Sequence, residues 1–190
     1  MPDVSVRFAS VSDAPAIATI HCESWRRHYR GMYSDRYLDG DLYDERLATW
    51  TERLRRDERV HVTLIAEDGN RSIGFAHLIL DAHPTFGAHV DNLHVVGSEQ
   101  RRGIGSILLD HVAQIVIERR PGSGVWLWVL EGNTDAQAFY VARGGELRDQ
   151  ELSPAPGGNL ANLHGTPMRV RVVWPDPTRL LRETRPTDSA

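Results

Sequence analysis

The chain has 190 residues, 41% hydrophobic and 25% charged, enough to bury one sizeable core in one domain. A net charge of −4 without a basic block argues against a nucleic-acid partner, and the single cysteine, Cys22, excludes an internal disulfide framework and a multi-cysteine zinc site. All 22 basic residues are Arg, so a Schiff-base lysine and a Walker-type phosphate lysine are excluded too.

Val4–Ala9 alternates and reads as a strand. Ser12, Asp13 and Pro15 then mark a helix start, with Ser12 as the cap, running to about Arg27. Arg26–Asp41 is turn-rich and aromatic. Tyr43, Leu47, Trp50 and Leu54 recur at helical spacing and predict a second helix. His61–Ala66 and Ser72–Leu80 flank the turn Glu67–Asn70 and predict a hairpin, and His89–Val96 predicts a further strand. Gly103–Arg119 carries an apolar helical stripe (Ile104, Ile107, Leu108, Val112, Ile115, Val116) that Pro121-Gly122 ends. Val125–Leu130 is almost continuously apolar, as a central strand covered on both faces is. Thr134–Arg143 predicts a short helix stopped by Gly144-Gly145, Ser153–Asn162 a loop, and Met168–Trp174 a last strand. These elements run β-α-α-β-β-β-α-β-α-β, a mixed sheet with helices on its faces; the expected order, β-α-α-β-β-β-α-β-α-β-β, adds one strand before the last that periodicity does not mark. Residues 1–175 form the domain, and 176–190 a polar tail expected to be disordered. No apolar run is long enough to span a membrane, and Met1–Arg7 shows no leader pattern, so the expectation is a cytoplasmic protein without a membrane partner.

Gln100-Arg101-Arg102-Gly103-Ile104-Gly105-Ser106 stands between a strand and the helix after it. Such a helix start exposes unpaired N–H groups and partial positive charge, and glycines let a phosphate approach the backbone. The turn therefore suits a phosphate or pyrophosphate. It is not the dinucleotide fingerprint, which needs glycine where Leu108 stands.

The stretch Leu93–Leu109 resembles the acyl-CoA motif of the GCN5-related N-acetyltransferase (GNAT) family, with Gln100, Gly103 and Gly105 in place. Asn133–Tyr140, followed by Gly144, resembles the family's N-x-x-A-x-x-F-Y element. The resemblance covers about residues 4–174. One departure is Gly145, where the family usually has an aromatic residue; looser packing behind the last hairpin is expected.

The resemblance implies an α/β (α+β) fold: a mixed, mostly antiparallel sheet of six to seven strands, helices on both faces and splayed central strands. It implies acetyl-CoA as acyl donor; His77, His83, His89 and His94 match no familiar metal-site spacing, so no metal is expected. The pyrophosphate would sit on Arg101, Arg102, Gly103, Ile104, Gly105 and Ser106, next to Gln100. The pantetheine arm would pair with the strand at Leu93, Val95 and Val96, and Asn133 would hold the cofactor or the splayed strand. Tyr140 would protonate the leaving thiolate, and His89 or Asp91 would take the amine's proton. Strand periodicity places His89, Asp91, Leu93 and Val95 on one face and His94 on the other, in a structural role. Trp25, Tyr29 and Tyr33, with Asp91 and the acids Asp35, Asp39 and Asp41, would line the acceptor pocket, and the Ser153–Asn162 loop its opposite wall. Trp126 and Trp128 pack the core; Cys22 is a small buried side chain. The implied activity is transfer of an acetyl group to a small-molecule or peptide amine, in a chain able to form a homodimer. The alternative is a non-catalytic acyl-CoA-binding or regulatory module.

Overall fold

The structure is a computed structural model, and it describes residues 4–181. Seven strands form one mixed sheet in the order β1-β2-β3-β4-β5-β7-β6. They are β1 (Val4–Phe8), β2 (His61–Asp68), β3 (Arg71–His83), β4 (Gly87–Val95), β5 (Val125–Leu130), β6 (Glu146–Leu152) and β7 (Met168–Trp174). The helices are α1 (Ala14–His28), α2 (Asp35–Leu38), α3 (Leu42–Arg53), α4 (Ile104–Arg119) and α5 (Thr134–Ala142). All strand pairs are antiparallel except β4–β5, which is parallel.

Each face of the sheet has its own core. The apolar stripe of α4 packs on Leu78, Val90, Leu127 and Val172. On the other face, Ile17 and Ala18 of α1 and Trp50 of α3 cover Ile65 and Phe75. Burial of these side chains supplies the main favourable term in folding.

Four expectations change. Residues Val11–Asp13 form a 3-10 turn before α1, so Ser12 is not the cap; instead Ser10 N–H donates to Asp13 Oδ2 at 2.7 Å. The alternation of β4 breaks: Leu78 pairs with Val90 and His77 with Asn92, leaving Asp91 as a one-residue bulge. His89, Asp91, Leu93 and Val95 therefore do not share a face. Val90, Leu93 and Val95 pack toward α4, while His94 packs toward α1. Gly145 does not loosen the last hairpin either. A Cβ there would lie 2.5 Å from Val172 Cγ1 and 2.8 Å from Trp174 Cζ2, so Trp174 occupies that space. Finally, packing continues past Pro175: Pro177–Leu180 forms a 3-10 turn, and Leu180 is fully buried in the core. The rest of the expected tail lies outside the described residues.

Candidate active site

The sheet opens between β4 and β5. Only Ala88 pairs with Val125 and His89 with Trp126; beyond them the strands diverge. The closed end is tight. Gly87 has φ +81°, Ala88 N–H donates to Gly124 O at 2.9 Å, and a Cβ on Gly87 would lie 2.4 Å from that oxygen. Past this point β4 presents backbone groups that β5 does not pair.

A cavity of about 570 Å³ fills the wedge and runs to the start of α4. Leu93 and Val95 line one side, and Leu127 and Val129 the other. At the far end Gln100, Arg101 and Gly103–Ser106 line it. Arg101 (φ +63°) and Gly103 (φ +83°) both take the left-handed conformation, which turns the chain sharply into the helix start. The first amide groups of α4 lack intrahelical partners and carry the positive end of the helix dipole. The result is an extended slot with an apolar waist, a free strand edge and an anion-seeking terminus.

The strand edge, the slot and the helix start together have relatives. The Acetyltransferase (GNAT) family profile matches residues 22–144. The chain belongs to the GNAT family. A probable N-acetyltransferase of Mycobacterium tuberculosis is 30% identical over 142 residues, covering 73% of this chain and 77% of that protein. The uncharacterized N-acetyltransferase YuaI of Bacillus subtilis is 27% identical over 176 residues, covering 91% and 94%. Among solved structures, the PaiA N-acetyltransferase of Thermoplasma acidophilum in complex with coenzyme A superposes with a TM-score of 0.72 at 20% identity, covering 89% of this chain and 98% of that one. YncA of Salmonella typhimurium, solved with acetyl-CoA, gives 0.63 at 19% identity and 99% coverage of both. The seven-stranded mixed sheet is the GNAT fold.

The structure brings most of the expected residues to this GNAT slot, but not all. Leu93, Val95, Gln100, Arg101, Gly103, Ile104, Gly105, Ser106, Asn133, Tyr140, Asp91 and Tyr29 line the cavity. Val96 does not: its N–H closes onto Ile73 O at 2.9 Å. Arg102 turns away to pair with Glu99 and lies 3.9 Å from Asp68. Trp25 and Tyr33 stand behind Tyr29, with the Tyr33 ring 5.1 Å from it. His89 lies outside the lining, flat on Trp126 (4.0 Å between centroids, 12° between planes).

The lining also gains Ser24 and His28, together with His94, expected in a structural role, and Trp128, expected in the core but half-buried against the cavity. His28 Nε2 lies 3.1 Å from Gln100 Nε2, tying α1 to the turn before α4. Trp128 is held between two guanidiniums, Arg169 and Arg171, each 4.5 Å from the ring centre. The acids expected in the acceptor wall point elsewhere: Asp35 and Asp39 pair with Arg30 at the surface, and Asp41 is exposed. The Ser153–Asn162 loop and the residues just after it do not line the cavity. They are stitched to the α1–α2 connection, with Ser34 N–H donating to Asn162 O and His164 N–H to Met32 O, both at 2.9 Å.

The electrostatics follow from burial. Tyr140 is buried and Tyr29 half-buried, and their desolvation pushes both phenols well above the ordinary value and keeps them protonated. Burial opposes ionisation of Asp91, but the neighbouring Arg53, to which it is hydrogen-bonded, and His89 together hold its carboxyl below the usual range. His89 is lowered to about 4, mainly by burial. Cys22 is buried and its thiol is raised, an inert side chain as expected.

Proposed function

We propose that the chain transfers an acetyl group from acetyl-CoA to a primary amine by direct attack in a ternary complex. One observation carries this reading: the unpaired edge of β4 and the start of α4 belong to the same cavity. A molecule with a pyrophosphate at one end and a peptide-like arm at the other fits both at once.

The pyrophosphate meets the amides from Arg101 to Ser106, where charge and backbone geometry favour an anion. The pantetheine arm adds to β4 at Leu93 and Val95 as an extra strand would. Amides of that edge polarise the thioester carbonyl and stabilise the negative charge that develops on its oxygen. Tyr140 holds a proton at any working pH and can give it to the departing thiolate. Asn133 caps α5, its Oδ1 accepting from Ala136 N–H at 3.3 Å, and so fixes the helix that presents Tyr140. The acceptor enters past Tyr29, Asp91 and Trp128.

Incubation with acetyl-CoA and a panel of small-molecule and peptide amines tests the reading through release of free CoA thiol. Turnover with at least one amine is expected. Calorimetric CoA binding without turnover on any amine overturns it in favour of a regulatory module.

A further inference from the structure

The attacking nitrogen must shed a proton, and neither strand residue expected to take it is available. His89 is stacked on Trp126 outside the lining. Asp91 is bonded to Arg53 and accepts from Asn92 Nδ2 at 2.6 Å.

His94 is placed differently. It and Ser24 both line the cavity, and its Nδ1 lies 2.8 Å from Ser24 Oγ. Its Nε2 has no hydrogen-bond partner among the described residues, yet it is not sealed off as the Nε2 atoms of His21 and His77 are. The His21 ring backs it, with centroids 4.7 Å apart. Trp50 Nε1 donates to His21 Nδ1 at 3.0 Å. An indole nitrogen only donates, so His21 is neutral with its proton on Nε2. His21 is therefore an uncharged wall behind His94 and not a rival base.

We propose that His94 Nε2 accepts the proton of the attacking amine, with Ser24 as the positioning residue; the assignment rests on the acetyl-transfer reading above. This role requires the tautomer in which Ser24 Oγ accepts from Nδ1–H, which leaves the lone pair on Nε2. The amine lone pair forms the C–N bond to the thioester carbonyl carbon, and the N–H proton passes to Nε2. The C–S bond breaks with its electrons on sulfur, which takes the Tyr140 phenolic proton. The imidazolium then returns its proton to the phenolate, so the net products are an amide and a thiol. Burial holds His94 at about 3, with His28 acting in the same sense and Asp91 against it. It is thus neutral, the accepting form, wherever a free amine exists, and negative charge developing on the carbonyl oxygen favours its transient protonation.

The test compares wild type with His94→Gln at saturating acetyl-CoA, using an amine the wild type accepts. The expected result is a kcat at least about 100-fold lower, the scale of a lost general base, with CoA affinity by calorimetry unchanged. Added imidazole is expected to restore part of the rate of His94→Ala. Ser24→Ala is expected to lower kcat about fivefold or more and to add nothing in the His94→Gln background, as residues acting together do. A His94→Gln kcat within about threefold of wild type overturns the assignment, because a general base contributes far more. So does a loss that appears only together with lost CoA affinity. If the His94 variants do not fold, an unchanged kcat in Ser24→Ala overturns it instead. A wild type that releases no thiol with any amine fails the acetyl-transfer reading itself, a result distinct from wild type and His94→Gln turning over equally.

Discussion

The two edges of β4 are made from the same nine residues and end in opposite states. Toward β3, pairing runs from Gly74–Val95 to His83–Gly87, interrupted by the Asp91 bulge and by a second shift between Ile79 and His83. Toward β5 it stops after His89–Trp126. The two faces differ as well. The one against α4 is apolar, whereas the one against α1 and α3 gathers His94, His21 and His77 around Trp50 and Phe75. A zipped edge gives rigidity and leaves nothing to offer a ligand. An open edge offers amides and carbonyls held in place by the zipped side. The bulge lets one strand do both, because it shifts the phase so that Leu93 and Val95 join the α4 core while His94 reaches α1.

The sharpest way to break this comparison is at the open edge. Tyr140→Phe is expected to lower kcat about 100-fold or more, on the scale of general-acid catalysis, while CoA binding persists. Thiol release and calorimetry read the two separately, and an unchanged kcat removes Tyr140 as the acid. Next is the far end of the slot. Gly103→Val forces a branched side chain into a left-handed conformation costing about 1–3 kcal/mol, so CoA affinity should fall roughly 10-fold. Gly122→Val imposes similar strain (φ +82°) in a turn outside the cavity lining. It should cost stability and spare CoA binding; equal CoA losses in the two variants would contradict the assignment of the α4 turn to the pyrophosphate.

The outline of the fold was legible in the sequence where a single period runs uninterrupted. β5 and β7 occupy the expected residues, and α4 begins one residue late. The bulge at Asp91 was not legible, because each half of β4 alternates correctly and only pairing with β3 shows the slip. Arg101 and Arg102 are neighbours of one type, and although Glu99 stands only three residues before Arg102, the sequence does not say that it captures that one. The acids of the α1–α2 connection were legible as acids, but their partner Arg30 decides that they face outward. Gly145 was read against a family habit, and Trp174, 29 residues away, supplies the missing ring. Motifs in consecutive residues survived the transfer to structure; side-chain direction, set by partners as near as Glu99 or as far as Trp174, did not.

The histidine face sharpens the comparison through pH. His77, His89 and His94 sit at about 3, 4 and 3, chiefly through burial, against an ordinary value near 6.5. Between those limits the unfolded chain binds more protons, so stability is complete above about 6.5 and is lost as pH falls toward 4. Each histidine contributes up to about 1.4 kcal/mol per pH unit across that window. Denaturant unfolding at pH 5.0, 5.5 and 6.0 should show this slope, and His77→Gln should reduce it by close to one proton. A slope identical in wild type and His77→Gln would mean that His77 is protonated in the folded state.

The smallest effect separates two roles of one residue. Asn133 caps α5 and also lines the cavity. Losing an N-cap costs about 1 kcal/mol, and serine replaces asparagine in that role with little loss. Asn133→Ala should therefore lower unfolding stability by about that amount, and Asn133→Ser should restore it. If Asn133 acts only through the helix that presents Tyr140, CoA affinity in Asn133→Ser equals wild type. Weaker CoA binding at full stability would instead give the amide a direct contact with the cofactor, making the start of α5 a second point where the open side of the sheet grips its ligand.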